Sequence, residues 1–138
     1  IFVWLFYNHM NIQQLGYKKP DRDIFFSSKG HDAPGLYGVF YALGYINLKD
    51  LLNFRRLEGL DGHPDVQIPG IEANTGSLGM GISKAKGMAW AKRYLGRGGR
   101  VIVLTGDGEI QERSLRLSSP KGCSRNLNGT NAVVLGAH

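Results

Sequence analysis

The clearest pattern in the chain is the unbroken apolar run Val101-Ile102-Val103-Leu104, which ends in Thr105-Gly106-Asp107-Gly108. A short run rich in β-branched residues, with no polar alternation, predicts a strand buried on both faces, the mark of a parallel sheet. Upstream, small residues (Ala85, Gly87, Ala89, Ala91) lie within a segment predicted as a helix from Ile82 to Leu95. Gly96-Arg97-Gly98-Gly99 separates the two as a turn. Helix, glycine turn, strand and acidic loop together predict an α/β fold, a doubly wound, largely parallel sheet flanked by helices, with the 101–105 strand at its centre.

The first residues read differently. Ile1, Leu5, His9 and Ile12 share one helical face, with Phe2, Phe6 and Met10 beside it, so residues 1–18 are expected to be helical until Pro20. Asp21 to Ser28 reads as a charged, aromatic connector. Gly30-His31-Asp32-Ala33-Pro34-Gly35 opens a second helix, about Leu36 to Leu43, which Gly44 ends. Asn47 is placed to cap a third, from Leu48 to Arg56. From Glu58 to Asn74 glycine and proline break any period, and a loop this long inside a compact domain is often functional. Past Glu112 the pattern dissolves into Ser, Asn, Gly and basic residues, with one short strand expected at 131–135.

Charge changes little. The net charge is +6, but residues 113–138 carry four basic residues and no acid, while residues 1–112 hold 13 basic against 11 acidic. The basic excess lies in the tail, without aromatic interleaving, so no nucleic-acid partner is expected. The apolar opening is too short for a membrane span, and no membrane partner is expected. A single cysteine, Cys123, excludes an internal disulfide and fits a reducing, cytoplasmic setting.

Chemistry concentrates in loops. A lone Asp107 between two glycines past a buried strand is suited to a hard cation such as Mg²⁺ holding a diphosphate, and equally to plain turn chemistry. Gly76-Ser77-Leu78-Gly79-Met80-Gly81 lacks the order of a dinucleotide fingerprint and the Lys of a phosphate loop. It reads as a closely packed helix entry, or as a backbone platform for a flat ring or an anion. His31 and His63 sit in glycine loops, where they are surface or capping residues, or donors and proton carriers toward a polar substrate. Their surroundings do not suggest zinc.

Together, Asp21-Arg22-Asp23, Ser28-Lys29-Gly30-His31, Gly62-His63-Pro64-Asp65, Pro69 to Gly81 and Gly106-Asp107-Gly108-Glu109-Ile110-Gln111-Glu112 resemble the cofactor-binding N-terminal part of transketolase. The phrasing is similar to the split bacterial forms, in which this half is a separate polypeptide. The resemblance implies thiamine diphosphate and Mg²⁺ or another divalent cation as cofactors, and transfer of a two-carbon ketol unit between sugar phosphates. It implies Asp107 as metal ligand, with His31 and Gly108 at the diphosphate. Gly76, Ser77 and Leu78 would line the cofactor, and His63 would contact the donor sugar. His31 and His63 are the implied proton carriers. Glu112 matches a carboxylate near a contact between chains. This implies a dimer or heterotetramer when complete, built with a C-terminal half or partner subunit. Two further readings stand beside it: a deoxyxylulose-phosphate-synthase-like enzyme with the same cofactor, and a non-catalytic remnant or subunit.

The resemblance divides the chain at residue 112. Residues 1–112 read as a partial cofactor-binding domain. Residues 113–138 match nothing in the family and are expected to be disordered or out of frame. The family also carries an upstream Ser-Gly-His segment, an Asn that completes the metal site, and a glutamate on a separate domain. Without these the chain alone is expected to bind the cofactor weakly and to transfer no ketol unit.

Overall fold

The computed structural model describes residues 1–106, 108–111 and 132–137. Three parallel strands form one sheet in the order β1 (Ile24–Ser27), β2 (Val101–Gly106), β3 (Ala132–Ala137). Ile24 stands opposite Val101, and Val101 opposite Ala132. β2 is therefore central, and all six of its residues are buried, as its apolar run requires. β3 spans the short strand expected near residues 131–135.

Helices cover both faces of the sheet. On one face Phe25, Ile102 and Leu104 join Leu5, Phe6, Leu36, Tyr37 and Phe40 in the larger core. The Phe6 ring meets Phe25 and Phe40 edge-on, at 5.5 Å in both cases, a preferred aromatic geometry. On the other face Phe26, Val101 and Val103 pack against Ala85 and Ala89 of α5 (Gly81–Tyr94). Alternate side chains of each strand thus feed opposite layers. The small alanines let α5 lie close to the sheet. The doubly wound α/β expectation holds.

α3 (Ala33–Ala42) begins on Pro34 in its first turn, where a missing N–H costs nothing, and stops before Gly44 at φ +76°. α4 is shorter than expected, Leu48–Leu52, although Asn47 does cap it by accepting from Asp50 N at 2.8 Å. The stretch from Glu58 to Asn74 forms no helix or strand.

Two expectations need correction. Residues 1–18 are not one helix but α1 (Phe2–Trp4), a π turn (Leu5–His9) and α2 (Ile12–Leu15). The break at Met10 and Asn11 has a tertiary cause. Asn11 N donates to Asp23 Oδ2 (3.1 Å), and Asp23 N donates to Asn11 Oδ1 (2.6 Å). The connector Asp21–Ser28 contains β1, whose Phe25, Phe26 and Ser27 are buried, as is Ser28 just beyond it.

Asp23 ties this corner together. Besides Asn11 it accepts from Arg100 N (2.7 Å) and from the Arg100 guanidinium (Nη2, 2.7 Å), which also reaches the His9 carbonyl. Burial pushes the Asp23 carboxyl up, but the Arg100 and Asn11 hydrogen bonds outweigh it, and the net direction is below the ordinary value. A carboxyl held down in the folded state contributes stability that is present above the unfolded value. That stability is lost as pH falls through the lower folded value. The urea midpoint is therefore expected to drop as the pH is lowered from about 5 to about 3, and to drop less in Asp23→Asn. Equal pH dependence in the two proteins would remove Asp23 from this account.

Candidate functional site

The site lies at the C-terminal edge of β1 and β2, where open parallel sheets hold ligands. β1 delivers Ser28, Lys29, Gly30 and His31, and β2 delivers Gly106 and Gly108. Between them in sequence, the entry to α5 supplies Gly76 to Gly81. Lys29, His31, Leu78, Gly106, Gly108 and Glu109 line one cleft of about 390 Å³.

The long loop closes against this edge through glycine contacts. A Cβ on Gly30 would overlap the His63 ring and lie 2.8 Å from Gly76 Cα. A Cβ on Gly76 would lie 2.8 Å from His63 Cδ2, and Gly76 has φ +137°, a conformation side chains resist. Gly30, His63 and Gly76 are thus packed backbone to ring. Tyr37, fully buried in α3, holds the loop from below: its hydroxyl donates to the carbonyls of His63 (2.9 Å) and Asp61 (3.2 Å). Burial, then the charges of Asp61 and Asp65, push the Tyr37 hydroxyl up to about 12, so it stays a donor. Asn74 accepts from Val66 N (2.8 Å) and donates to Asp65 Oδ2 (3.3 Å), which joins the loop to the glycine stretch.

The chain brings His31, Leu78 and Gly108 to the cleft itself. Gly76 sits beside it, through Gly30 and His63, and Ser77 links Gly76 to Leu78 in sequence. None of His31, His63, Gly76, Ser77, Leu78 and Gly108 is buried. Asp107 and Glu112 lie outside the described residues, as do residues 113–131 and 138. Among the described residues, no three His, Cys, Asp or Glu side chains gather as a metal site would require. Nor is any helix among them long and apolar enough to cross a membrane.

Three members stand in the motifs quoted from the sequence but were given no role there. Lys29 places a cation in the cleft, and its side chain runs against Gly106. Ser28 and Glu109 are buried polar residues hydrogen-bonded to each other. A lysine beside a glycine loop, and an acid one residue past Gly-Asp-Gly, are signals too common to stand out alone.

The arrangement can receive an elongated ligand with an anionic end and a flat apolar end. Lys29 and His31 supply donors to the cleft, and Leu78, half exposed, supplies an apolar contact. The glycine pair lets the Gly30 and Gly76 backbones and the His63 ring pack together beside the cleft, where a Cβ would not fit. The Thr75 hydroxyl, buried next to Gly76, has no hydrogen-bond partner among the described residues.

The family described as "Transketolase, thiamine diphosphate binding domain" matches residues 2–114. Among curated proteins, human transketolase-like protein 2 is 42% identical over 113 residues, covering 80% of this chain and 18% of the relative. One of the subunits of the apulose-4-phosphate transketolase of Actinobacillus succinogenes is 39% identical over 116 residues, covering 83% of this chain and 42% of that relative. Among solved structures, transketolase from Leishmania mexicana superposes with a TM-score of 0.82 at 28% identity, over 96% of this chain and 22% of that one. The chain thus spans less than half the length of each of these relatives.

Proposed function

As the chain belongs to the transketolase family, in its thiamine diphosphate binding domain, we propose that it binds thiamine diphosphate with Mg²⁺ and serves ketol transfer between sugar phosphates. The observation that carries this reading is the convergence of His31, Leu78 and Gly108 on one cleft at the C-terminal edge of the sheet.

The residues present fit such a cofactor: two donors for an anion and one exposed leucine line the cleft, and the backbones of Gly106 and Gly108 border it. His31, Lys29 and the backbone at Gly108 would hold the diphosphate end. Gly76, Ser77 and the Leu78 side chain would hold the rings. Asp107 would hold the metal, because a hard divalent cation takes carboxylate and phosphate oxygens. When bound, thiamine diphosphate supplies the electron sink that stabilises a carbanion.

The chain's own residues do the rest. The buried sheet fixes the ends of β1 and β2, so their loops meet at a constant distance. His63, wedged between Gly30 and Gly76 with its carbonyl on Tyr37, presents its ring to a donor sugar's oxygen and carries a proton to or from it. His31 does the same at the cofactor side. A C-terminal half or partner subunit would close the cleft, whose ligand-facing His31, Leu78 and Gly108 are open to solvent here. The Actinobacillus relative, itself one part of a divided transketolase by its name, supports a split arrangement. A cytoplasmic setting fits the single Cys123.

The test is a calorimetric titration of thiamine diphosphate with Mg²⁺ into the 138-residue chain, alone and with a transketolase C-terminal half supplied as a second chain. Weak saturable binding is expected alone and tighter binding with the second chain. His31→Ala is expected to weaken the latter by about tenfold or more, the scale of one lost charge-assisted hydrogen bond. No binding in the combined protein would refute the reading.

A further inference from the structure

A single buried carboxylate joins the three segments that frame the cleft. Glu109 is 2% exposed. Its Oε1 accepts from Gly79 N at 2.7 Å and from the Ser28 hydroxyl, and its Oε2 accepts from Gly106 N at 3.3 Å. Ser28 Oγ in turn accepts from Gly81 N at 3.0 Å. Gly81 lies so close that a Cβ there would overlap the Ser28 side chain. One acid thus gathers the end of β1, the glycine turn before α5 and the end of β2.

Burying a carboxylate is costly unless donors surround it. Here each of these donors comes from a site-forming segment, and none from the core helices α1 to α4. Buried and bonded to these donors, Glu109 is engaged with the protein rather than with the open part of the cleft. It is well placed to fix geometry. Gly79 follows Leu78 directly, and Gly106 and Gly108 flank position 107. Holding Gly79 to Gly106 therefore sets the distance between the Gly76–Leu78 platform and the end of β2.

We propose that Glu109 is the positioning residue of this site, acting through Gly79, Ser28 and Gly106 to hold the glycine platform against the end of β2. The consequence for thiamine diphosphate rests on the function proposed above. The placement of the loop does not.

Amide hydrogen exchange in the 138-residue chain reads the loop directly. In Glu109→Ala, the Gly79 and Gly106 amides should exchange about tenfold faster or more, the scale of one lost hydrogen bond to a charged group. The Phe26 and Val103 amides, inside the sheet, should keep their rates. Glu109→Gln keeps one acceptor oxygen but turns an N–H toward Gly106, so Gly79 should stay protected while Gly106 does not. Ser28→Ala should expose Gly81. With the C-terminal half added, thiamine diphosphate affinity should fall about tenfold in Glu109→Ala and recover most of the way in Glu109→Gln. Unchanged Gly79 exchange in Glu109→Ala would overturn the proposal. So would faster exchange with unchanged affinity in a protein whose parent binds. If the parent itself fails to bind, the cofactor reading has failed, and the exchange rates alone decide on Glu109. Should Glu109→Ala not fold, Glu109→Gln decides by exchange: faster exchange at Gly106 with Gly79 still protected supports the proposal, and unchanged exchange at both overturns it.

Discussion

Asp107→Ala will bind thiamine diphosphate no more tightly with Mg²⁺ than without it, and its affinity in the presence of Mg²⁺ will fall by about a hundredfold, roughly 2.7 kcal/mol. The expectation begins with β2. All six of its residues are buried, and it is paired on both sides, so its end at Gly106 is held firmly. Gly106 and Gly108, the chain neighbours of Asp107, both line the cleft beside Lys29 and His31. On the function proposed above, Asp107 would supply the carboxylate oxygen that a hard divalent cation takes. The Lys29 ammonium would attract the diphosphate but repel the metal, and His31 would donate to the diphosphate. Alanine removes the carboxylate and leaves those donors, so residual binding should be metal-independent. Asp107→Asn keeps one neutral oxygen and should fall between the two. Titrations in EDTA and in excess Mg²⁺, with the C-terminal half present, measure the difference. A tenfold or greater Mg²⁺ enhancement surviving in Asp107→Ala would place the metal elsewhere.

What the sequence disclosed follows the range of the forces involved. β2 was legible because four consecutive apolar residues leave no exposed face, and both faces are in fact covered. α5 was legible from its glycine boundaries and small residues, and Asn47 from ordinary capping chemistry. β1 was not. Only four residues long, it begins directly after Asp21-Arg22-Asp23, and that charge masked it. Their charges are paired at long range, Asp23 by Arg100 and Arg22 by Glu72, while Arg22 also donates locally to the Tyr17 and Asp23 carbonyls. No local window contains both Arg100 and Glu72. The break at Met10 and Asn11 escaped for the same reason, because helical periodicity ran on while Asp23 captured Asn11.

The candidate site divides along the same line. Ser28, Lys29 and Glu109 sit in the same motifs as His31 and Gly108, but of the residues at the cleft only His31, Leu78 and Gly108 were given roles from them. Glu109, Ser28 and Lys29 gain their places only when β1 and β2 lie side by side. Ser28 and Glu109 are 81 residues apart in the chain. A carboxylate whose donors come from three segments looks, in one dimension, like any solvated acid.

Gly30→Ala carries the second large expected effect, because a single methyl group would strike both halves of the site. An added Cβ overlaps the His63 ring and stands 2.8 Å from Gly76 Cα and 3.0 Å from Gly76 N. A ring alone could swing away. Backbone cannot, and Gly76 is already at φ +137°, where few other conformations satisfy the turn into Ser77 and Leu78. His63 is also restrained, since its carbonyl is held by Tyr37. Relief must therefore come from moving the whole 76–78 stretch, at a cost of about 1–3 kcal/mol, as for other overpacked sites. That movement takes Leu78 away from the cleft it lines with His31. The expected outcome is a lower urea midpoint together with about a hundredfold loss of thiamine diphosphate affinity, on the reading that the platform holds the rings. Gly38→Ala is the control: it lies in α3, and a Cβ there meets nothing within 4 Å. There stability should hold or rise slightly, since alanine is the better helix former. If Gly30→Ala binds within about threefold of the parent, under about 1 kcal/mol, the contact between Gly30, His63 and Gly76 does not set the position of the 76–78 stretch for cofactor binding.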